Sequence, residues 1–481
     1  MSRGEHKGYL TVFMALCLPV LLTLFLTVIE GARMNAIRLR SEIAADTAMQ
    51  SVLAEFHQEL YKQYDLFFVD TSYGTSQPSL AKTEDHLRTY LDGNFSTVGL
   101  HLFGSHVDFQ NLRASDVHIT GARFASDDGG KAVREQIYAY MAADPAGAVV
   151  SDIVNQIDVF EGIGRDITYW ETAWEENEAA LHEVPSVVEE HEDGTVEEIK
   201  LENPAEEVTG FRLRPALLQV FGTTQWISEA RVDSGTLLSH RELSHGMGVK
   251  PDSSHEYPEA DALLLDEYIL EKCGTYRNKM EKNRLKYQAE YILFGKDSDE
   301  ANLEKMAARL LLIRNAANCA YIFSDRVKCA EADVVAAGVA FLVLQPEIQP
   351  LVKNAILFGW AYLESVLDVR SLFQGGSVPF LKTKGTWKTS LSSIFSPGGL
   401  SGEKKEGGMF TYETYLRALL YMENIRTKTW RLMDMMEADI RQTKGNEGFR
   451  MDACFDTFAM EGTIASSFGY TCGVKGAKTY N

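Results

Sequence analysis

Tyr9 to Ile29 reads YLTVFMALCLPVLLTLFLTVI, an unbroken run without one charged residue. As a helix rising about 1.5 Å per residue it reaches roughly 30 Å, the thickness of a bilayer's hydrocarbon core. A core helix of a water-soluble domain carries polar residues on one face, whereas here the apolar character runs all the way round. Thr11, Thr23 and Thr27 can return their hydroxyls to helix carbonyls, and Pro19 is tolerated within a span. The stretch reads as a membrane anchor over residues 9–29, with residues 1–8 as a cytoplasmic head.

A cleavable signal is the competing reading. Its basic start is present at Arg3 and Lys7, but a signal's apolar centre has only about 7–15 residues and ends at a small-x-small site. Here Glu30-Gly31-Ala32-Arg33 follows and then a helical pattern, so the helix is expected to stay. Charge does not set the orientation. Arg3 and Lys7 precede the span, Arg33, Arg38 and Arg40 follow it, and only Lys and Arg count.

Beyond the span, Ile37, Ile43, Ala44, Ala48, Val52, Phe56 and Leu60 form an apolar stripe, which predicts a stalk helix over residues 30–64 in continuation of the anchor. Residues 65–170 read as a small α+β unit. A buried strand at Asp65–Asp70 precedes a helix over Leu80–Leu91, a β-branched strand over Leu112–Phe124, and a helix opened by Asp127-Asp128-Gly129-Gly130. A further helix is expected from Ile153 to Leu181. Glutamate dominates residues 171–208, with Lys200 the only Lys or Arg from 171 to 207, and this predicts an acidic loop or linker. The calcium-loop spacing D-x-D-x-D-G is absent there.

Residues 209–481 read as a mainly helical domain with terminal strands. Helices are expected at Pro215–Ile227 and Leu263–Leu270. Asn302–Phe323, Ala330–Leu344 and Leu351–Leu372 should form an antiparallel bundle with a turn at Ser324-Asp325. Strand character at Ser377–Ile394, a Gly/Ser/Lys loop at Ser396–Gly408, one helix over Tyr412–Arg441 and alternation over Phe449–Tyr470 complete the chain. The fold class is α+β.

A net charge of −21 argues against nucleic acid and anionic lipid surfaces as partners. Six cysteines are present, one of them (Cys17) inside the span. None has C-x-x-C spacing; Cys319 with Cys329 and Cys454 with Cys472 are the pairs that local folding could bring together, against buried free thiols. His240 and His245 are five apart, off a common helical face, while Glu178 and His182 are four apart in an acidic surface stretch. No cofactor or metal is expected, and the spacings G-x-S-x-G, H-E-x-x-H and the P-loop are absent. The polar row Trp360, Glu364, Asp368 and Arg370 lies on an otherwise apolar helix. Glu364 and Asp368 could do acid–base work in a cleft, or could pair with Arg314 or Arg370 and fix helix packing; packing is the favoured reading.

Ala15, Leu16, Leu18, Pro19, Glu30, Gly31 and Arg33, followed by Ala44-Ala45-Asp46-Thr47-Ala48, resemble the amino-terminal segment of TadE/TadG-like proteins of the Tad (Flp) pilus-assembly system. Members cut by a prepilin peptidase usually carry a glutamate five residues after the cleavage glycine. Phe13 stands there after Gly8, the candidate processing site, so the resemblance is closer to the uncleaved TadG side. It implies a pilin-like stalk, a single pass through the plasma membrane, an extracellular head, and pilus, secretion or envelope proteins as partners. The stretches Glu290–Gly295, Ile313–Asn318, Trp360–Arg370 and Val378–Lys382 resemble a domain-of-unknown-function family of Gram-positive bacteria. That resemblance carries over no catalytic residues. The expected role is structural assembly, with a membrane-tethered envelope enzyme or a processed minor pilin as alternatives.

Overall fold

The computed structural model describes residues 6–75, 77–96, 100–102, 105–107, 111–143, 160, 162–190, 196–201, 203–248, 260–399 and 409–480. Residues 1–5 of the expected head, 153–159 and 161 of the expected helix, 191–195 and 202 of the acidic stretch and 400–408 of the Gly/Ser/Lys loop lie outside them. The architecture is α+β and mainly helical, with a small antiparallel sheet. The chain divides into two compact units: Met1–Gln136 with Glu242–Glu256 and Ile440–Asn481, and Ile137–Arg241 with Tyr257–Asp439. The domain boundaries expected from sequence therefore need correction, because the terminal strands belong to the first unit and not to the helical one.

In the first unit, helix α1 runs from His6 to Leu53 without a break at Pro19. Thr23 and Thr27 donate to the carbonyls of Pro19 and Thr23 at 2.7 Å, which seats both hydroxyls inside the apolar stretch. The stalk is shorter than expected. It ends at Leu53, and a second helix, α2 (Gln58–Tyr64), starts where His57 Nδ1 accepts from the Leu60 amide at 3.1 Å. Phe56 and Leu60 stay in phase with the apolar stripe, so periodicity alone could not show the break. The strand expected at Asp65–Asp70 shrinks to β1 (Val69–Asp70), since Asp65 closes α2 in the left-handed region at φ 53°.

Helix α3 (Leu80–Ser96) and strand β2 (Leu112–Phe124) follow, then α4 (Asp127–Ala142). Near the carboxyl terminus, β3 (Cys454–Ser466) is the central strand of the sheet, pairing antiparallel with β2, β1 and β4 (Thr471–Thr479). Alternation had marked β3, but β4, with Gly473 and Gly476 among its residues, carries little strand signal of its own. Ile37, Ala44, Ala48 and Val52 on α1 pack into one core with Leu87 and Leu91 of α3, Phe458, Met460 and Ile464 of β3, and Val474 of β4. The sheet is thus built around the outer half of the long helix. Lys478 pairs with Asp46 at 2.7 Å, and the Tyr480 hydroxyl donates to the Leu53 carbonyl.

The second unit is a helical assembly. Helix α5 (Ile163–His182) corrects the loop expected from residue 171. Ile163, Ile167, Trp174, Asn177 and Leu181 form one buried face, and the glutamates occupy the others. Further on, Val187–Glu190 and Val196–Ile199 pair as an antiparallel hairpin. Short helices at Ala216–Phe221 and Ala260–Lys272 stand where helices were expected.

The bundle consists of α6 (Asp299–Ser324), α7 (Arg326–Leu342) and α8 (Gln349–Phe373). Asp325 turns the chain between α6 and α7, its Oδ1 accepting from the amides of Val327 and Lys328 at 3.0 and 3.3 Å. Every residue of α8 from Ala355 to Val369 is buried, so this helix is the centre of the unit.

Two further expectations are corrected here. Ser377–Ile394 is not a strand: apart from one bridge between Val378 and Phe410, its Thr and Ser groups bond locally, as where the Thr383 amide donates to Thr386 Oγ1 at 2.8 Å. Tyr412–Arg441 is two helices, α9 (Tyr412–Met422) and α10 (Ile425–Ile440). Asn424 caps the second by accepting from the Arg426 amide at 2.9 Å.

Candidate functional site

Helix α8 carries two carboxylates on a face that the rest of the unit closes over. Glu364 and Asp368, four residues apart, are both fully buried, as are their two cationic partners. Lys382 Nζ donates to Glu364 Oε1 at 2.6 Å and to Asp368 Oδ1 at 2.7 Å. Arg314, from the facing helix α6, donates Nη2 to Asp368 Oδ2 at 2.9 Å and Nη1 to the Phe380 carbonyl at 2.8 Å. The second oxygen of Glu364 accepts from the amides of Lys388 and Thr389 at 3.0 and 2.8 Å. Asn318 completes the cluster, donating to Ser365 Oγ at 2.9 Å.

Two positive and two negative charges therefore neutralise one another in the buried core. Each carboxylate spends its lone pairs on protein donors. A general base needs a lone pair directed at a substrate proton, and these oxygens are directed at Lys382, Arg314 and backbone amides. What the arrangement does well is fix register: it ties α6, α8 and the segment 380–389 at one level.

Asp368 meets Arg314, whereas Arg370 leaves the cluster and donates to the Gln219 carbonyl at 2.6 Å. Trp360 donates its indole N–H to the Thr389 carbonyl at 3.2 Å and lies under Lys328, whose Nζ is 4.1 Å from a ring centroid. Lys382 is the partner that spacing could not supply. It stood out only as part of a motif, because a turn and not a strand returns it to the helix.

Among the other buried acids of the same unit, Glu290 and Asp266 stand apart. Glu290 Oε1 accepts from the Tyr412 hydroxyl at 2.5 Å and the Tyr276 amide at 2.9 Å, while Oε2 has no hydrogen-bond partner among the described residues. Burial pushes its carboxyl up to about 7. Asp266 receives Lys428 Nζ at 2.5 Å on one oxygen and has no hydrogen-bond partner among the described residues on the other. Burial again dominates and pushes it up to about 7 against the pull of Lys428. The sequence signal for both was a carboxylate inside an apolar helical stripe.

The other candidates are not brought together. Glu178 accepts from Trp174 Nε1 at 2.6 Å and Thr209 Oγ1 at 2.8 Å, acting as a packing node. His240 belongs to the second unit and His245 to the first. In the first unit, Met247 exchanges amide and carbonyl bonds of 2.7 and 2.9 Å with Ala122 on β2, and a Cβ at Gly246 would overlap the Ala122 carbonyl. That close approach explains the glycine. No cluster of three or more His, Cys, Asp or Glu residues suited to a metal occurs among the described residues.

None of the six cysteines is joined in a disulfide. The terminal segment does fold back as a hairpin, but Cys472 lies opposite Ile464 and far along β3 from Cys454. Cys319 and Cys329 turn instead to helix groups, Asn315 Oδ1 and the Ile322 carbonyl. On α1, Gly8, Pro19, Glu30 and Gly31 lie along the helix, and the Arg33 guanidinium stacks 3.4 Å from the centroid of Phe468 in the β3–β4 turn.

The pattern of DUF5702, described as a family of unknown function, matches residues 194–466, more than half of the 481-residue chain. The match contains Glu290, Arg314, Trp360, Glu364, Asp368 and Lys382, and it leaves out the anchor segment on which the TadE/TadG resemblance rests. No curated protein and no solved structure matches the chain.

Proposed function

The chain belongs to the DUF5702 family of unknown function, so its role has to be argued from its own residues, and we propose that it is a single-pass, membrane-anchored structural component of an envelope assembly, of the Tad-pilus or a related secretion type. The observation that carries this reading is the division of labour along α1. Among the described residues one helix is long and apolar enough to cross a membrane, and its most apolar window is wholly uncovered by the rest of the chain. The same helix, from Ile37 onward, is the spine around which the first unit's core is built. One continuous element thus joins a bilayer-length apolar surface to a folded head, which suits a part that must transmit position between membrane and partner.

The TadE/TadG-like residues Ala15, Leu16, Leu18, Pro19, Glu30, Gly31 and Arg33 support the pilus-type context, and through it an extracellular head. The neutralised cluster at Glu364 and Asp368 supports assembly over envelope catalysis, since both carboxylates are spent on internal donors.

Intact mass, membrane fractionation and protease shaving of whole cells test the proposal. Full-length protein in the membrane with a head that the protease removes is the expected result. A mass lacking residues 1–8, with the protein in sheared filaments, would make it a pilin despite Phe13. A head protected in intact cells would overturn the extracellular placement.

A further inference from the structure

Helix α7 buries one face and leaves the other open. Ala332, Ala336 and Ala340 are buried, while Val327, Val334 and Phe341 are 57%, 74% and 76% exposed. Ala330 and Ala337 share that outward face. The outward residues follow the spacing 327, 330, 334, 337, 341, alternating three and four, which is the seam of a helix that pairs with another helix. Leu342 and Leu344 extend the apolar surface just past it.

Gly338 adds an independent observation. It lies inside α7, is exposed, and a Cβ there would meet nothing within 4 Å. An exposed glycine inside a helix costs about 1 kcal/mol relative to alanine, and nothing in this chain requires it. A close-approaching second backbone would.

We propose that the outward face of α7 is a self-association surface, on which two copies of this chain pair their α7 helices antiparallel about a twofold axis between Val334 and Ala337. The sizes of the seam residues select this arrangement. In antiparallel register Ala330 faces Phe341 of the second copy and Val334 faces Ala337, so that these large side chains meet small ones, while Val327 faces Leu344 at each end. A parallel pair would set Phe341 against Phe341 and Ala330 against Ala330, which no single interhelical distance satisfies. The twofold makes the patch self-complementary, as an isologous dimer requires.

Charge agrees. The antiparallel register sets Glu331 opposite Ala340 and Asp333 opposite Gly338, so no like charges meet. Glu331, exposed beside the seam, also disfavours burial of the same surface in lipid. The exposed seam amounts to on the order of 500 Å² per copy, or roughly 1,000 Å² in all, at the lower edge of specific interfaces. The dimer is therefore weak in solution. Confinement of both copies to one membrane would raise their effective concentration, a point that rests on the anchor reading, whereas the pairing itself does not.

The test uses the full-length protein in mild detergent and in lipid nanodiscs. Sedimentation should show a reversible monomer–dimer equilibrium, weakened at least tenfold by Phe341→Glu or Val334→Glu. Both side chains are exposed, so circular dichroism should be unchanged. Single-cysteine additions fix the register: Ala330→Cys and Phe341→Cys proteins should cross-link when mixed, and neither with itself, above the background of the native thiols. A monomer at every concentration would overturn the proposal, as would a dimer indifferent to Phe341→Glu or self-cross-linking through Ala330→Cys. A monomer whose label at position 334 is quenched by brominated lipid would assign the face to the membrane instead. None of these failures touches the fractionation result, so the two readings fail separately.

Discussion

Lys382 is the residue on which the second unit's charge balance turns. Removing it leaves Glu364 and Asp368 buried together with only Arg314 as a cation, and an uncompensated buried charge typically costs about 3–5 kcal/mol. Lys382→Met should therefore destabilise the protein by that amount in urea unfolding; a loss below about 1 kcal/mol would show that the cluster is hydrated or rearranges. Glu290 makes a different prediction. Its carboxyl is raised from 4.5 to about 7 by burial, so the folded state holds the proton more tightly than the unfolded chain does. Its contribution is fully present below pH 4.5 and is lost as pH rises to about 7, an effect on the order of 3 kcal/mol. Unfolding free energy should fall over that window in the wild type and fall less in Glu290→Gln, which retains the parallel contributions of the other carboxyls raised by burial, Asp266, Asp299 and Asp434. Equal slopes in the two proteins would rule this out. Asp368 and Arg314 were legible as partners because both sit on strongly patterned helices; Lys382 was not, because its position depends on a turn with no periodic signature.

At the scale of elements, periodicity located most helices and the wide strands, and capping chemistry decided where they stop. The turn at Ser324-Asp325 was readable because Asp325 is a strong cap followed by a new apolar phase. Asp325→Ala should cost about 1 kcal/mol and lower Tm by about 2–4 °C, read by thermal melting, with α6 and α7 otherwise intact. An unchanged Tm would mean the turn is held by packing alone. Asn424 is the same kind of cap, but the apolar pattern runs through it, so periodicity alone shows one helix over Tyr412–Arg441. Residues 171–182 carry two signals, the end of the helix expected to Leu181 and the glutamates of an acidic loop, and the helix prevails: Trp174 stacking 5.5 Å from Phe358, with Asn177 and Leu181 on the same face, holds it against α8.

For the whole molecule, α1 is the element whose two halves meet different surroundings. Deleting residues 1–33 should move the protein from the membrane pellet to the supernatant, with the sheet of the first unit retained by circular dichroism; a truncated protein still in the pellet would place the membrane attachment elsewhere. The sequence by itself determined the apolar span, the stripe that continues it, the bundle of α6, α7 and α8, and strand β2 to its ends, because each is a local pattern repeated over many residues. It could not assign the terminal strands to the amino-terminal unit or Lys382 to its two carboxylates. Those are long-range meetings: β3 pairs with β2 across more than 300 residues, as Leu112 facing Ser466 shows, and no local pattern encodes a partner that far away. Only the tertiary structure decided them, since only burial of one apolar face against another selects which strand fills the sheet and which cation offsets a buried acid.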